Sequence, residues 1–167
     1  MSVFAGRYSA RLEGDFVVFH IGMRINKPWK PQTWLPIFAV MPKMLRELDR
    51  QPELGLLGYQ YAAIPPLGVS VIQWWRSFEQ LEAYARNPDA EHLPAWKRFN
   101  QRVRASGDVG IYHETYRVRA GEYEAVYGNM PRTGLATVGE HVPAGSTSTA
   151  ARRIGDRAED VAPVEGY

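Results

Sequence analysis

Cysteine is absent from the 167 residues, which removes disulfides, thiolate metal sites, iron–sulfur clusters and a cysteine nucleophile in one step. No apolar run approaches the roughly 18 residues needed to cross a bilayer. The opening stretch MSVFAGRYSARLEGD holds no apolar secretion segment, so a cytoplasmic location and no membrane partner are expected. Charge of one sign is also scarce: 20 basic against 18 acidic residues leave +2. The basic residues are spread along the chain, and the local group Lys97, Arg98, Arg102 and Arg104 falls on the polar side of an expected helix. A nucleic-acid partner is therefore not expected. The glycines are dispersed, with no serine-nucleophile elbow, phosphate-cradling loop or dinucleotide fingerprint. Hydrolase, kinase and nucleotide-dependent dehydrogenase chemistries thus lack support.

Apolar residues make up 45% of the chain, enough for one sizeable core in a single domain. Residues 14–26 (GDFVVFHIGMRIN) are β-branched and aromatic, bounded by turn residues, and read as a strand. Ile37, Met41, Met44 and Leu48 then recur at helical spacing behind Thr33 as a plausible N-cap, with Pro42 expected to kink the helix. Two apolar runs, 56–63 and 69–75, flank Ile64-Pro65-Pro66-Leu67-Gly68 and read as a hairpin. Ser77-Phe78-Glu79-Gln80 has capping-box form and starts a second helix, interrupted at Asn87-Pro88-Asp89 and resumed through Leu93, Trp96, Phe99 and Val103. Residues 109–118 (VGIYHETYRV) close the pattern as a strand.

The order β-α-β-β-α-β predicts an α+β, ferredoxin-like split βαβ with an antiparallel sheet carrying both helices on one face. The other face needs a cover, and pairing of two copies as a homodimer is the simplest one. The domain is expected to span 1–138, with 119–138 wrapping over a partner or the barrel mouth. Gly128-Asn129-Met130-Pro131 reads as a turn, and from Gly139 onward the small and polar composition predicts a flexible tail.

The segments WRSFEQLEAYAR (75–86) and EHLPAW (91–96) resemble the strand-to-helix passage of the antibiotic-biosynthesis-monooxygenase superfamily, the dimeric α/β barrels. With GIYHETY (110–116) and YGNMPRTGL (127–135), the chain is similar to the branch related to a fungal fumagillin-pathway monooxygenase, over roughly residues 10–138. The resemblance implies a dimeric α/β barrel and an oxidoreductase label.

Among candidate site residues, His92 shares a helix face with Trp96, Phe99 and Val103, where it either caps or hydrogen-bonds in the core, or presents a neutral imidazole to a haem iron. Haem-binding relatives of the superfamily place their ligand on this second helix, so the resemblance implies haem as a candidate cofactor held by His92 and Trp96. The haem-degrading branch carries a Trp two to three turns ahead of its His, where this chain has Glu82-Ala83-Tyr84. His20 and His113 fall on strands that neighbour each other in the ferredoxin-like order. A cavity there would use them as proton acceptors, with Arg24 stabilising an enolate or carboxylate; ordinary hydrogen bonds at a half-buried sheet edge are the alternative. Tyr61, Trp74 and Phe99 are the expected substrate-binding side chains. Trp74 and its neighbour Trp75 lie on opposite faces, so one of them looks into the cavity. No ligand spacing supports a metal site other than haem iron at His92.

The leading expectation is a small monooxygenase-like oxidoreductase for a hydrophobic, aromatic or conjugated molecule, either haem-dependent or free of any cofactor. The rival is a non-catalytic binding module for haem or an apolar metabolite.

Overall fold

The computed structural model describes residues 2–91, 93, 97, 99, 101, 106–145 and 149–154. The chain divides into two compact units, one built on Val17–Tyr116 and the other from the residues up to Phe16 and from Arg117 on.

In the central unit the strands are β2 (Phe16–Ile25), β3 (Leu56–Ile64), β4 (Gly68–Trp75) and β5 (Val109–Val118), in sheet order β3-β4-β2-β5. This is the expected ferredoxin-like arrangement. Register along β2 and β4 sets Val17 opposite Trp75, Phe19 opposite Gln73 and Ile21 opposite Val71. Between β2 and β3 run α1 (Pro31–Phe38) and α2 (Val40–Arg50). Pro31 sits in the first turn of α1, where a missing N–H costs nothing. Thr33, expected as the cap, is inside that turn, with its hydroxyl donating to the Lys30 carbonyl at 2.7 Å. The kink expected at Pro42 is a full break at Ala39: Pro42 has no N–H to offer the carbonyl four residues back, and α1 ends there, at Phe38. Beyond the break, α2 buries Met44, Leu45 and Leu48 along one stripe.

After β4, Ser77 caps α3 (Phe78–Arg86), its Oγ accepting from the Gln80 N–H at 3.2 Å. The reciprocal half of the box is not made, because the Gln80 amide donates to the Glu53 carbonyl instead. Leu93, Lys97, Phe99 and Gln101 are helical, as expected for the resumed helix. Apolar clusters among the described residues hold the unit, one of Val17, Leu48, Trp75, Leu81, Tyr84 and Ala90, another of Met23 with Val109 against Ile25, Trp34, Ile37, Phe99 and Ile111. The buried Asp108 carboxylate ties the β2–α1 connection down through Lys27 at 2.7 Å and Lys30 at 3.3 Å.

The second unit carries a three-stranded sheet in order β6-β1-β7, from β1 (Phe4–Arg11), β6 (Tyr127–Met130) and β7 (Glu140–Pro143). Two expectations are corrected here. Residues 127–130 form a strand paired with β1 rather than a turn. The segment from Gly139, expected as a flexible tail, begins with a strand whose Val142 and His141 pair with Ser9 and Ala10. His141 stacks on Tyr8 at 4.4 Å between ring centres and meets Phe4 edge-on, so aromatic packing offsets the poor composition of this stretch. Gly6, at φ +95°, takes up the register shift between Phe4 and Arg7, and its N–H donates to the Asn129 side chain at 2.9 Å. Among the described residues no helix is long and apolar enough to cross a membrane.

Candidate active site

Alternation along the central strands gives the sheet two faces. On one stand Phe19, Ile21 and Met23 of β2, Val71, Gln73 and Trp75 of β4, Tyr61 of β3, and Ile111, His113 and Thr115 of β5. Opposite this face lie α1, α2 and α3, which contribute Pro36, Ile37, Met41, Met44, Leu48, Leu81 and Tyr84. They enclose a cleft of about 900 Å³, which Leu93 and Phe99 also line. Its wall is mostly apolar. The polar exceptions include the hydroxyls of Thr33, Tyr61, Ser70, Tyr84 and Thr115 and the side chains of Gln32, Gln73, Glu82 and His113, and among the described lining residues there is no lysine or arginine.

Gln73 accepts a hydrogen bond from the Trp75 indole at 2.8 Å. Tyr84, tilted against the Trp75 ring, donates to the Glu47 carboxylate at 2.6 Å. Burial, and then that bond, push the Tyr84 phenol far above its ordinary value. Burial likewise raises Tyr61, with the Asp49 charge adding to it. His113 packs beside the Phe19 ring at 5.5 Å, and among the described residues its ring nitrogens have no hydrogen-bond partner. That leaves a lone pair and an N–H open to a ligand.

Three expected residues, His113, Tyr61 and Phe99, therefore line one cleft. The expected grouping of His20, Arg24 and His113 is corrected. The His20 Nε2 lies 3.1 Å from the Tyr112 hydroxyl and its Nδ1 3.9 Å from the Glu114 carboxylate, both on the opposite face from His113. Register is the reason: even positions of β2 share a face with even positions of β5, and a shift of one residue reverses every side chain. The Tyr112 ring sits directly over Gly22, where any side chain would collide with it. Arg24, on the His20 face, donates to the Asn26 side chain at 3.0 Å. Trp74 also points away from the cleft, and among the described residues Trp75 is the tryptophan that lines it. His92 and Trp96 lie outside the described residues. Among the described residues no group of three or more metal-ligating side chains occurs.

Gln73 was not anticipated. A polar residue in an apolar strand suggests the solvent side, yet Gln73 shares parity with Val71 and Trp75, and that parity is the available signal.

The model of the family described as monooxygenase af470-like matches residues 16–135. Monooxygenase af470 of Aspergillus fumigatus is 30% identical over 130 residues, covering 70% of this chain and 44% of that protein. The chain thus spans less than half the length of that curated relative. Among solved structures, an aldoxime dehydratase co-crystallised with butyraldoxime superposes with a TM-score of 0.63 at 20% identity, over 81% of this chain and 40% of the other. A second aldoxime dehydratase gives 0.62 at 20% identity, over 86% and 45%. At such identity these two structures bear on the fold alone.

Proposed function

This chain belongs to the monooxygenase af470-like family, and from that premise we propose that it is a small monooxygenase-like oxidoreductase for a hydrophobic, aromatic or conjugated molecule. The observation that carries the reading is the cleft itself: about 900 Å³ with apolar and aromatic walls and one imidazole, His113, unpartnered among the described residues.

Among the described lining residues none is cationic and the imidazole is the exposed His113; His92 and Trp96, the expected haem-binding pair, lie outside the described residues. What is described supports the cofactor-free route. A substrate bearing a ring methylene activated by a conjugated carbonyl gives up a proton to His113. The delocalised anion passes an electron to O₂, the two radicals join in a C–O bond, and the peroxide takes a proton. Loss of water leaves a new carbonyl. Methylene plus O₂ becomes carbonyl plus water, with four electrons coming from the substrate, so no outside reductant enters. Apolar walls support this by keeping water from the anion.

We also propose a homodimer formed over the other sheet face. Tyr112 and Tyr116 are 37% and 51% exposed there, and a second copy would cover them. Light scattering should give twice the 18.9 kDa chain mass; a monomer at micromolar concentration would contradict it.

The activity test is incubation with anthrones and hydroxynaphthalenes under ¹⁸O₂, read by mass spectrometry. One ¹⁸O per product carbonyl without added flavin, metal or haem supports the proposal. Turnover only after adding one of them overturns the cofactor-free route, and binding without turnover overturns the enzyme in favour of a binding module.

A further inference from the structure

Gln73 is a polar residue in an apolar place. It is 4% exposed, on the cleft face of β4 between Val71 and Trp75. The direction of its amide follows from its neighbour. An indole N–H can only donate, so the atom 2.8 Å from Trp75 Nε1 must be the amide oxygen. Trp75 is 1% exposed and clamped by Val17, Leu48, Leu81 and Tyr84, so the indole cannot swing away. The nitrogen end is left facing the Met41 sulfur at 3.9 Å, its partner among the described residues. A thioether is a weak acceptor on a flexible, unbranched chain, and Met41 itself lines the cleft. The amide is thus a buried donor held in one direction and poorly satisfied.

The row of residues across the sheet gives its setting. Gln73 lies opposite Phe19 in the β2–β4 register, and the Phe19 ring packs beside His113. Gln73 and His113 therefore stand two strand spacings apart, roughly 9–10 Å, with an aromatic floor between them.

We infer that the Gln73 amide is the specificity-determining group of the cleft, a fixed N–H donor for an oxygen on a flat ligand of two or three fused rings. This rests on the small-molecule reading above and narrows its substrate class. The ligand lies on Phe19 with a carbonyl or phenolic oxygen at Gln73, displacing Met41, and its reactive ring position toward His113. When His113 takes the proton, the negative charge that spreads onto the oxygen meets a donor already in place. A hydrocarbon of the same shape would leave the buried amide unpaired, which is what makes the group selective. Trp75 acts through Gln73 and is a positioning residue.

The test compares 2-naphthol with 2-methylnaphthalene, matched in shape, by fluorescence titration of wild type, Gln73→Leu and Trp75→Phe, with near-UV circular dichroism as the check on folding. The ratio of the two affinities should fall about tenfold in Gln73→Leu, the equivalent of one hydrogen bond, with 2-naphthol bound more weakly and 2-methylnaphthalene no more weakly than in wild type. Trp75→Phe frees the amide to rotate and should lower the ratio severalfold. If Gln73→Leu does not fold, Gln73→Met, which keeps the length but has no donor, must lose the preference. An unchanged ratio in the folded variants overturns the inference while the cleft reading stands. Failure of wild type to bind either probe overturns both.

Discussion

The two faces of the central sheet carry similar residues to different ends. Each has a histidine, tyrosines and a tyrosine hydroxyl 2.6 Å from a glutamate: Tyr84 to Glu47 on the helix-covered side, Tyr116 to Glu114 on the other. On the covered side Tyr84 is 5% exposed and its bond lies beside the buried Trp75. On the other side Tyr116 is half-exposed, and His20 has its Nε2 at hydrogen-bond distance from the Tyr112 hydroxyl, with the Glu114 carboxylate 3.9 Å from its Nδ1. Burial decides which tyrosine–carboxylate pair stabilises the fold, whereas the exposed His113 differs from His20 in having no hydrogen-bond partner among the described residues. The polar partners on the open side compete with water and contribute little.

That contrast breaks most visibly at Trp75. Trp75→Ala removes the largest side chain of the covered face and should cost about 3–5 kcal/mol, read by urea unfolding. A loss under 1 kcal/mol would mean that the cleft wall does not hold the unit together. His113→Ala should lower O₂-dependent turnover at least about 100-fold, the usual scale for a general base, while His20→Ala stays within about twofold. Equal losses would put the two histidines in one site and contradict the register.

The paired tyrosines sharpen the comparison. Tyr84→Phe should destabilise by about 1.5–3 kcal/mol, a buried hydrogen bond to a charge, and Tyr116→Phe, at a solvated pair, should leave the unfolding curve nearly unchanged. The Tyr84 phenol is raised above the ordinary 10.0 in the fold. Its contribution is therefore full below pH 10 and is lost as the pH climbs further, because the unfolded phenol ionises first. Wild type should lose stability across that alkaline range more steeply than Tyr84→Phe. The acid-side counterpart is Asp108, whose carboxyl is held below its ordinary 3.8 chiefly by Lys27 and then Lys30. Its contribution is present above that value and fades as the pH falls through the lower folded one, so Asp108→Asn should melt below wild type at pH 7, the gap closing under strong acid.

The central unit was legible because its signals are local. The β-branched run at 16–25, the Pro65-Pro66-Leu67-Gly68 turn and the Ser77 cap each name their element within a few residues, and the matching sheet order follows. The three-stranded sheet was not. β7 is four residues of ordinary composition, and only its pairing with β1, some 130 residues away, makes it a strand. The site was half legible for a related reason. Alternation tells which residues share a face within a strand, but the parity between strands is fixed by register, so His20 was grouped with His113 and Trp74 stood where Trp75 is found. Tyr61 and Phe99 needed no such pairing, since a hairpin aromatic and a helix-face aromatic point to the same core from their own spacing.

The claim that the helix-covered face is the small-molecule site has a built-in reporter. Met23, Met41 and Met44 line the cleft, whereas Met130 lies on β6 in the other unit. With methyl-labelled methionine, a proton–carbon correlation spectrum recorded during titration with 2-naphthol should show the Met23, Met41 and Met44 methyl signals shifting together, Met41 the most, while Met130 stays still. Movement of Met130 with the three cleft methyls unchanged would place the ligand elsewhere and contradict the assignment of the site.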